Sequence, residues 1–130
     1  MILQTTLSLA AAAAIINLWL AMRVAAVRRS AKVLHGDGGD ALLGQRIRAQ
    51  LNYVENTVFV LILSGLIEMT GKGGRWLAFV GAAYMLARVA HGFGMDKLVV
   101  NPARMLGYLV TMLTLIGLSA VAVLIALQVI

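Results

Sequence analysis

The sequence predicts an all-α integral membrane protein, a bundle of four helices, and three observations carry that prediction. Hydrophobic residues make up 62% of the 130 positions and only 12% are charged, about half the charged share of a soluble domain. The apolar residues gather into four runs of about 20 residues, the length a helix needs to cross a bilayer. The charges that do occur stand at the ends of those runs. A single proline and the lack of a long polar linker fit one domain over residues 1–130.

The first span is expected at 3–27, broken by Asn17 and Arg23, and the second at 45–69. The third is expected at 76–94 and the fourth at 105–129, where the last two turns are nearly pure Val, Ile, Leu and Ala. Apolar residues surround these segments instead of forming one stripe, as in helices bathed in lipid. The first span carries its basic residues after the apolar run, which is the reverse of a cleaved signal, so it reads as a retained helix. The links are short: His35-Gly36-Asp37-Gly38-Gly39-Asp40, then Gly71-Lys72-Gly73-Gly74, then residues 96–102, where Pro102 suits a helix start. Neither glycine-rich link has phosphate-loop spacing or follows a strand, so both read as turns. Trp19 and Trp76 read as interfacial anchors, Glu68 as an interfacial helix-end residue near Lys72 and Arg75, and Gly81, Ala82 and Ala83 as close-packing positions.

Composition also excludes function classes. The chain has no cysteine, which removes disulfides, thiolate metal sites and a cysteine nucleophile. The net charge of +6 invites a nucleic-acid reading, but the basic residues form no solvated surface, so no nucleic acid is expected as a partner. They bear on topology instead. Arg23, Arg28, Arg29, Lys32, Arg46 and Arg48 flank the first link and Arg88, Lys97 and Arg104 the third, against Lys72 and Arg75 at the second. The positive-inside rule then places the first and third links in the cytoplasm and both termini outside it.

The polar residues within the spans converge on that basic end. Arg48, Asn52 and Glu55 are spaced by four and three, which puts them on one helical face at the start of an apolar stretch. Charged groups there are costly against lipid, so the cluster must meet protein, water or a ligand. Arg88 and His91 lie three apart near the end of the third span, with Tyr84 one turn earlier, and Arg104 and Tyr108 lie four apart at the start of the fourth. Three arginines and one glutamate sharing a pocket leave positive charge uncompensated, and a bound anion bearing carboxylates would balance it. The bland alternative is that the arginines snorkel to the interface, Glu55 pairs with Arg48, and Asn52 bonds a neighbouring helix. No second histidine or carboxylate stands at ligand spacing from His91, so no metal is expected.

The run Arg48-x-x-x-Asn52-x-x-Glu55 resembles the signature of the membrane-associated proteins in eicosanoid and glutathione metabolism, the MAPEG superfamily. Ala87-Arg88-Val89-Ala90-His91 is similar to its third-helix motif, and Asn101-Pro102-Ala103-Arg104 with Tyr108 to its fourth-helix entrance. The loop Gly36-Asp37-Gly38-Gly39 resembles the bacterial inner-membrane branch. The resemblance implies a homotrimer in the lipid bilayer with glutathione, as cosubstrate, bound between subunits. Residues matching Arg48, Asn52, Glu55, Arg88, His91 and Tyr108 would hold it, with Arg28 or Arg29 contributed by the first helix. Arg104 matches the arginine that stabilises the thiolate, and a guanidinium beside a thiol does lower its pKa. The implied function is glutathione transferase- or peroxidase-like, acting on hydrophobic electrophiles. Val58 and Phe59 stand where the family often has a proline, Leu51 where some members have arginine, and Met95 in place of an aromatic. Those departures motivate an alternative, a non-catalytic member of the same fold. A small four-helix exporter ranks last, because the first helix has no acid.

Overall fold

A computed structural model describes residues 1–130 as four α-helices in chain order: α1 (Gln4–Ala31), α2 (Ala41–Met69), α3 (Gly74–Gly94) and α4 (Pro102–Ala126). All four are long and apolar enough to cross a membrane. Even α3, the shortest at 21 residues, reaches about 31 Å at 1.5 Å per residue, enough for a hydrocarbon layer of about 30 Å. The chain is thus a multi-pass membrane bundle.

The helices run past the apolar spans where local chemistry allows it. α2 starts at Ala41 because the Asp40 carboxylate accepts from the Leu43 N–H at 2.8 Å, satisfying a donor that the first turn leaves unpaired. Asn101 does the same for α4 through the Arg104 N–H at 3.2 Å, with Pro102 at the first helical position. α1 ends where Lys32 turns left-handed (φ 56°) and its N–H bonds the Arg28 carbonyl.

α1 has no cap of its own, and its start is held from across the bundle. The Thr5 and Thr6 N–H groups donate to Glu68 Oε1 and Oε2 at 2.9 and 2.8 Å, and Thr6 Oγ1 donates to Oε2 at 2.7 Å. Glu68 is therefore a distant N-cap for α1 and forms no ion pair with Lys72 or Arg75. The carboxylate also sits favourably at the positive end of the α1 dipole.

α1 packs on α2 and α3 on α4; α2 also touches α3 and α4, and α1 touches α3, leaving α1 and α4 without contact on the diagonal. The core runs along Leu9, Ala13, Ile16 and Leu20 of α1, Tyr53, Val60 and Ile67 of α2, Leu77, Tyr84 and Met85 of α3, and Leu118 of α4. Gly81 lies against Leu9, whereas Ala82 and Ala83 are exposed. Most large apolar side chains point outward, Phe79 at 74% and Ile116 at 67% exposure among them, the inverse of a soluble bundle. Two pairings satisfy hydroxyls in the core: Tyr53 Oη donates to the Ala13 carbonyl at 2.9 Å, and Thr57 and Tyr84 share a 2.8 Å hydrogen bond.

Asp96 ties the third link to α1 and α2. It accepts from Arg46 Nε and Nη2, each at 3.1 Å, and from Arg23 Nη2. Arg23 also donates to the Gly92 carbonyl at 2.8 Å and lies over the rings of Trp19 and Phe93. Arg23, Arg46 and Trp19, read from sequence as topology charges and an anchor, are thus parts of one clasp joining α1, α2 and the α3–α4 link.

Candidate functional site

Two close approaches bring α3 and α4 together beside α2. A Cβ on Gly107 would lie 2.3 Å from His91 Cβ and 2.8 Å from the Ala87 carbonyl, so the helices touch there through a bare backbone. A Cβ on Gly94 would lie 2.5 Å from the Arg104 N–H nitrogen. Hydrogen is the only side chain that fits at either point. The consequence is that the entrance of α4 is pressed onto the last turns of α3.

Beside these contacts lies a cavity of about 310 Å³ lined by Arg48, Asn52, His91, Met95, Val100, Arg104, Met105 and Tyr108. Five of the eight residues proposed from sequence therefore share one hollow: Arg48 and Asn52 from α2, His91 from α3, Arg104 and Tyr108 from α4. Arg48 and Tyr108 are exposed at its mouth, Arg104 is half-buried, and His91 is buried. No acid lines it, and the chain's only ion pairs are those of Asp96 with Arg23 and Arg46. Arg48 and Arg104 thus present unpaired positive charge to the cavity.

Arg88 stands behind the wall. It is 2% exposed and uses its fork inside the protein: Nη2 donates to Asn52 Oδ1 at 2.7 Å and Nη1 to Thr111 Oγ1 at 3.0 Å. Thr111 Oγ1 in turn donates to the Gly107 carbonyl at 2.7 Å, which aims a lone pair at the guanidinium. The Tyr53 ring lies 5.8 Å from the guanidinium carbon. No carboxylate meets Arg88, so a third cation adds to the field of the cavity without touching it.

Glu55 and Arg28 lie elsewhere in the protomer. Glu55 is fourteen residues from each end of α2, exposed on its outer side, and makes no hydrogen bond or ion pair. Arg28 donates to the Gly36 carbonyl at 2.7 Å and faces a shallow hollow with Arg29 and Lys32 at the first link.

Helical spacing accounts for part of which residues line the cavity. Pairs four apart stay together: Arg48 with Asn52, His91 with Met95, Arg104 with Tyr108. Glu55, Arg88 and Thr111, each three residues from a lining residue, do not line it, whereas Met105, three from Tyr108, does. Four residues turn a helix by about 40° past a full turn and three fall about 60° short, enough to move a side chain off a narrow wall. Thr111 was missed in the sequence although Arg104, Tyr108 and Thr111 repeat the four-then-three spacing of Arg48, Asn52 and Glu55; that spacing was the available signal.

A hollow of similar size, about 320 Å³, lies on the outer side of α3 and α4 between Trp76, Val80, Leu113, Gly117 and Val121. It offers no charged group and suits hydrocarbon, not a polar ligand. Chemically, the basic cavity can bind a polyanion and can hold a thiol as its thiolate near a guanidinium.

Residues 6–124 match the model of the MAPEG family. No curated protein and no solved structure matches the chain.

Proposed function

The chain belongs to the MAPEG family, and from that premise we propose that it binds glutathione in the basic cavity and uses its thiolate against hydrophobic electrophiles. The observation that carries the reading is the cavity itself: Arg48 and Arg104 line it, Arg88 backs it, and no acid balances them. Glutathione carries two carboxylates and brings the missing negative charge. In this reading Arg48 and Asn52 hold carboxylate or carbonyl groups, His91 and Tyr108 line the bound tripeptide, and Arg104 stabilises the sulfur anion. The thiolate forms a carbon–sulfur bond to the electrophile, and the electrophile's leaving group departs with the displaced electron pair. The apolar electrophile enters from the bilayer.

Assembly as a homotrimer follows from the same premise. An exposed carboxylate halfway along a membrane helix is costly against lipid, and a neighbouring subunit on the outer side of α2 would cover Glu55. The ligand would then lie at the subunit boundary, the place from which a neighbour's Arg28 would contribute. We assign the protein to a bacterial inner membrane with the basic end cytoplasmic, since nine of the eleven basic residues flank the first and third links.

A second reading, a non-catalytic glutathione-binding member, is favoured by one observation: Met95, a flexible thioether, lines the cavity where the family resemblance expects an aromatic. Calorimetry with glutathione, together with thiol consumption using a chloronitroaromatic, separates the two. Binding with turnover that falls at least about tenfold in Arg104→Ala supports the enzyme, a factor worth about 1.4 kcal/mol of transition-state stabilisation. Binding without turnover supports the second reading, and equal turnover in both proteins removes the role assigned to Arg104.

A further inference from the structure

Arg88 has the chemistry of a ligand-binding arginine, but both arms of its fork bond inside the protein, while its buried Nε has no partner. Both terminal nitrogens donate to protein oxygens, the side chain is 2% exposed, and it does not line the cavity. What it touches does line the cavity. Asn52 is the one residue in hydrogen-bond contact with both Arg88 and that space.

The bond to Arg88 fixes which way round the Asn52 amide sits. A guanidinium only donates, so the atom 2.7 Å from Nη2 must be the carbonyl oxygen of the amide. The flip that usually leaves an asparagine's orientation open is therefore closed. With Oδ1 taken by Arg88, Asn52 Nδ2 makes no hydrogen bond within the chain, and Asn52 lines the cavity. Arg88 cannot turn away readily. Thr111 Oγ1 holds its other arm at 3.0 Å, and that hydroxyl is itself fixed by donating to the Gly107 carbonyl. The chain Gly107–Thr111–Arg88–Asn52 runs from α4 through α3 to α2, so the orientation of one amide is set by the packing of three helices.

We propose that Arg88 is a positioning residue: it locks the Asn52 side chain with Nδ2 toward the cavity, making it a fixed donor that selects a carboxylate of the bound ligand. This rests on the reading of the cavity as a glutathione site, but the locking itself does not need a ligand. Beside Arg48 and Arg104, a locked donor makes three donor groups on a wall whose side-chain acceptors are confined to Tyr108 and His91. Acceptor-rich groups are thereby favoured, and an ammonium or amide N–H at this point is rejected because it would face a donor.

The test has one arm without ligand and one with it. The chain has four asparagines, so selective ¹⁵N-asparagine labelling in nanodiscs gives four side-chain amide signals, with that of Asn52 identified by its loss in Asn52→Ala. The Asn52 amide is expected to be rigid on the nanosecond scale in the parent protein. In Arg88→Lys, which keeps the charge but loses the two-armed fork, it becomes mobile while the other three signals stay in place. A mobile Asn52 amide in the parent protein, or one equally rigid in Arg88→Lys, overturns the proposal. Shifts in all four signals would indicate general disruption, and Thr111→Val, which removes the hold on the other Arg88 arm and leaves Arg88 and Asn52 in place, is then expected to free the amide; a rigid amide there overturns it too.

In the second arm, glutathione binding is measured for the parent, Arg88→Lys, Asn52→Ala and the double variant. Each single change is expected to weaken binding about tenfold, the worth of one hydrogen bond to a charged group. The double is expected to fall within about twofold of Asn52→Ala, because Arg88 acts through Asn52. Losses that multiply overturn the proposal. If the parent binds no glutathione, the functional reading fails while the amide measurement still decides the locking.

Discussion

Replacing Gly107 by alanine tests the contact on which the cavity depends. The added Cβ would meet His91 Cβ at 2.3 Å and the Ala87 carbonyl at 2.8 Å, against ordinary carbon contacts of about 3.5–4.0 Å. Both obstacles are a backbone oxygen and the root of a side chain, which no rotamer change can move. The helices must therefore part by about 1 Å at this point. That is enough to carry the 3.0 Å Arg88–Thr111 hydrogen bond beyond useful length. Overpacking costs about 1–3 kcal/mol, and losing a bond from a buried cation adds about 1.5–3 kcal/mol more, so a loss of about 2.5–6 kcal/mol is expected. A matched control lies ten residues along the same helix: a Cβ on Gly117 meets nothing within 4 Å. Gly117→Ala should be neutral or stabilise by up to about 1 kcal/mol through helix propensity. Reversible unfolding in mixed detergent micelles, followed by circular dichroism, measures both. Two variants within about 0.5 kcal/mol of each other would refute the close-packing argument, since surface changes of that size need no explanation.

Asp96→Asn removes the only carboxylate that Arg23 and Arg46 meet. Two half-buried guanidiniums are left without a counter-charge, and the same unfolding assay should show a loss of about 2 kcal/mol, smaller than for a fully buried pair because Asp96 is partly open to solvent. The α3–α4 link carries Val100, which lines the cavity, so ligand affinity should fall together with stability; unchanged stability would show the clasp to be ornamental. Glu68→Gln leaves one acceptor oxygen where two served three donors. Amide hydrogen exchange at Thr5 and Thr6 should quicken roughly fivefold, comparable to losing an N-cap, while the α3 and α4 amides stay unchanged. Uniform change across all four helices would argue against a local cap.

Much of the fold was legible because its causes are local in sequence. A bilayer requires about 20 apolar residues per crossing, and four such runs are plainly separated by glycine, aspartate and one proline. The charge bias marks one end of the bundle, and helical spacing groups Arg48 with Asn52 and Arg104 with Tyr108. Long-range pairings were not legible: Glu68 lies 62 residues from Thr6, and Arg23 lies 73 from Asp96. Each looks like an ordinary interfacial charge until the bundle is closed.

The sequence by itself therefore determined the four helices, the membrane they cross and the end where the polar groups gather, since these follow from hydrophobicity and helical periodicity. Only the tertiary structure decided which of those polar groups share a wall. The close approaches at Gly94 and Gly107 set the rotation of α4 against α3, and that rotation puts Arg104, Met105 and Tyr108 on the cavity wall and leaves Thr111 off it. Arg88 and His91 look alike in sequence, as do Asn52 and Glu55. A difference of about 60° around a helix puts one of each pair in the cavity and the other behind it or outside it.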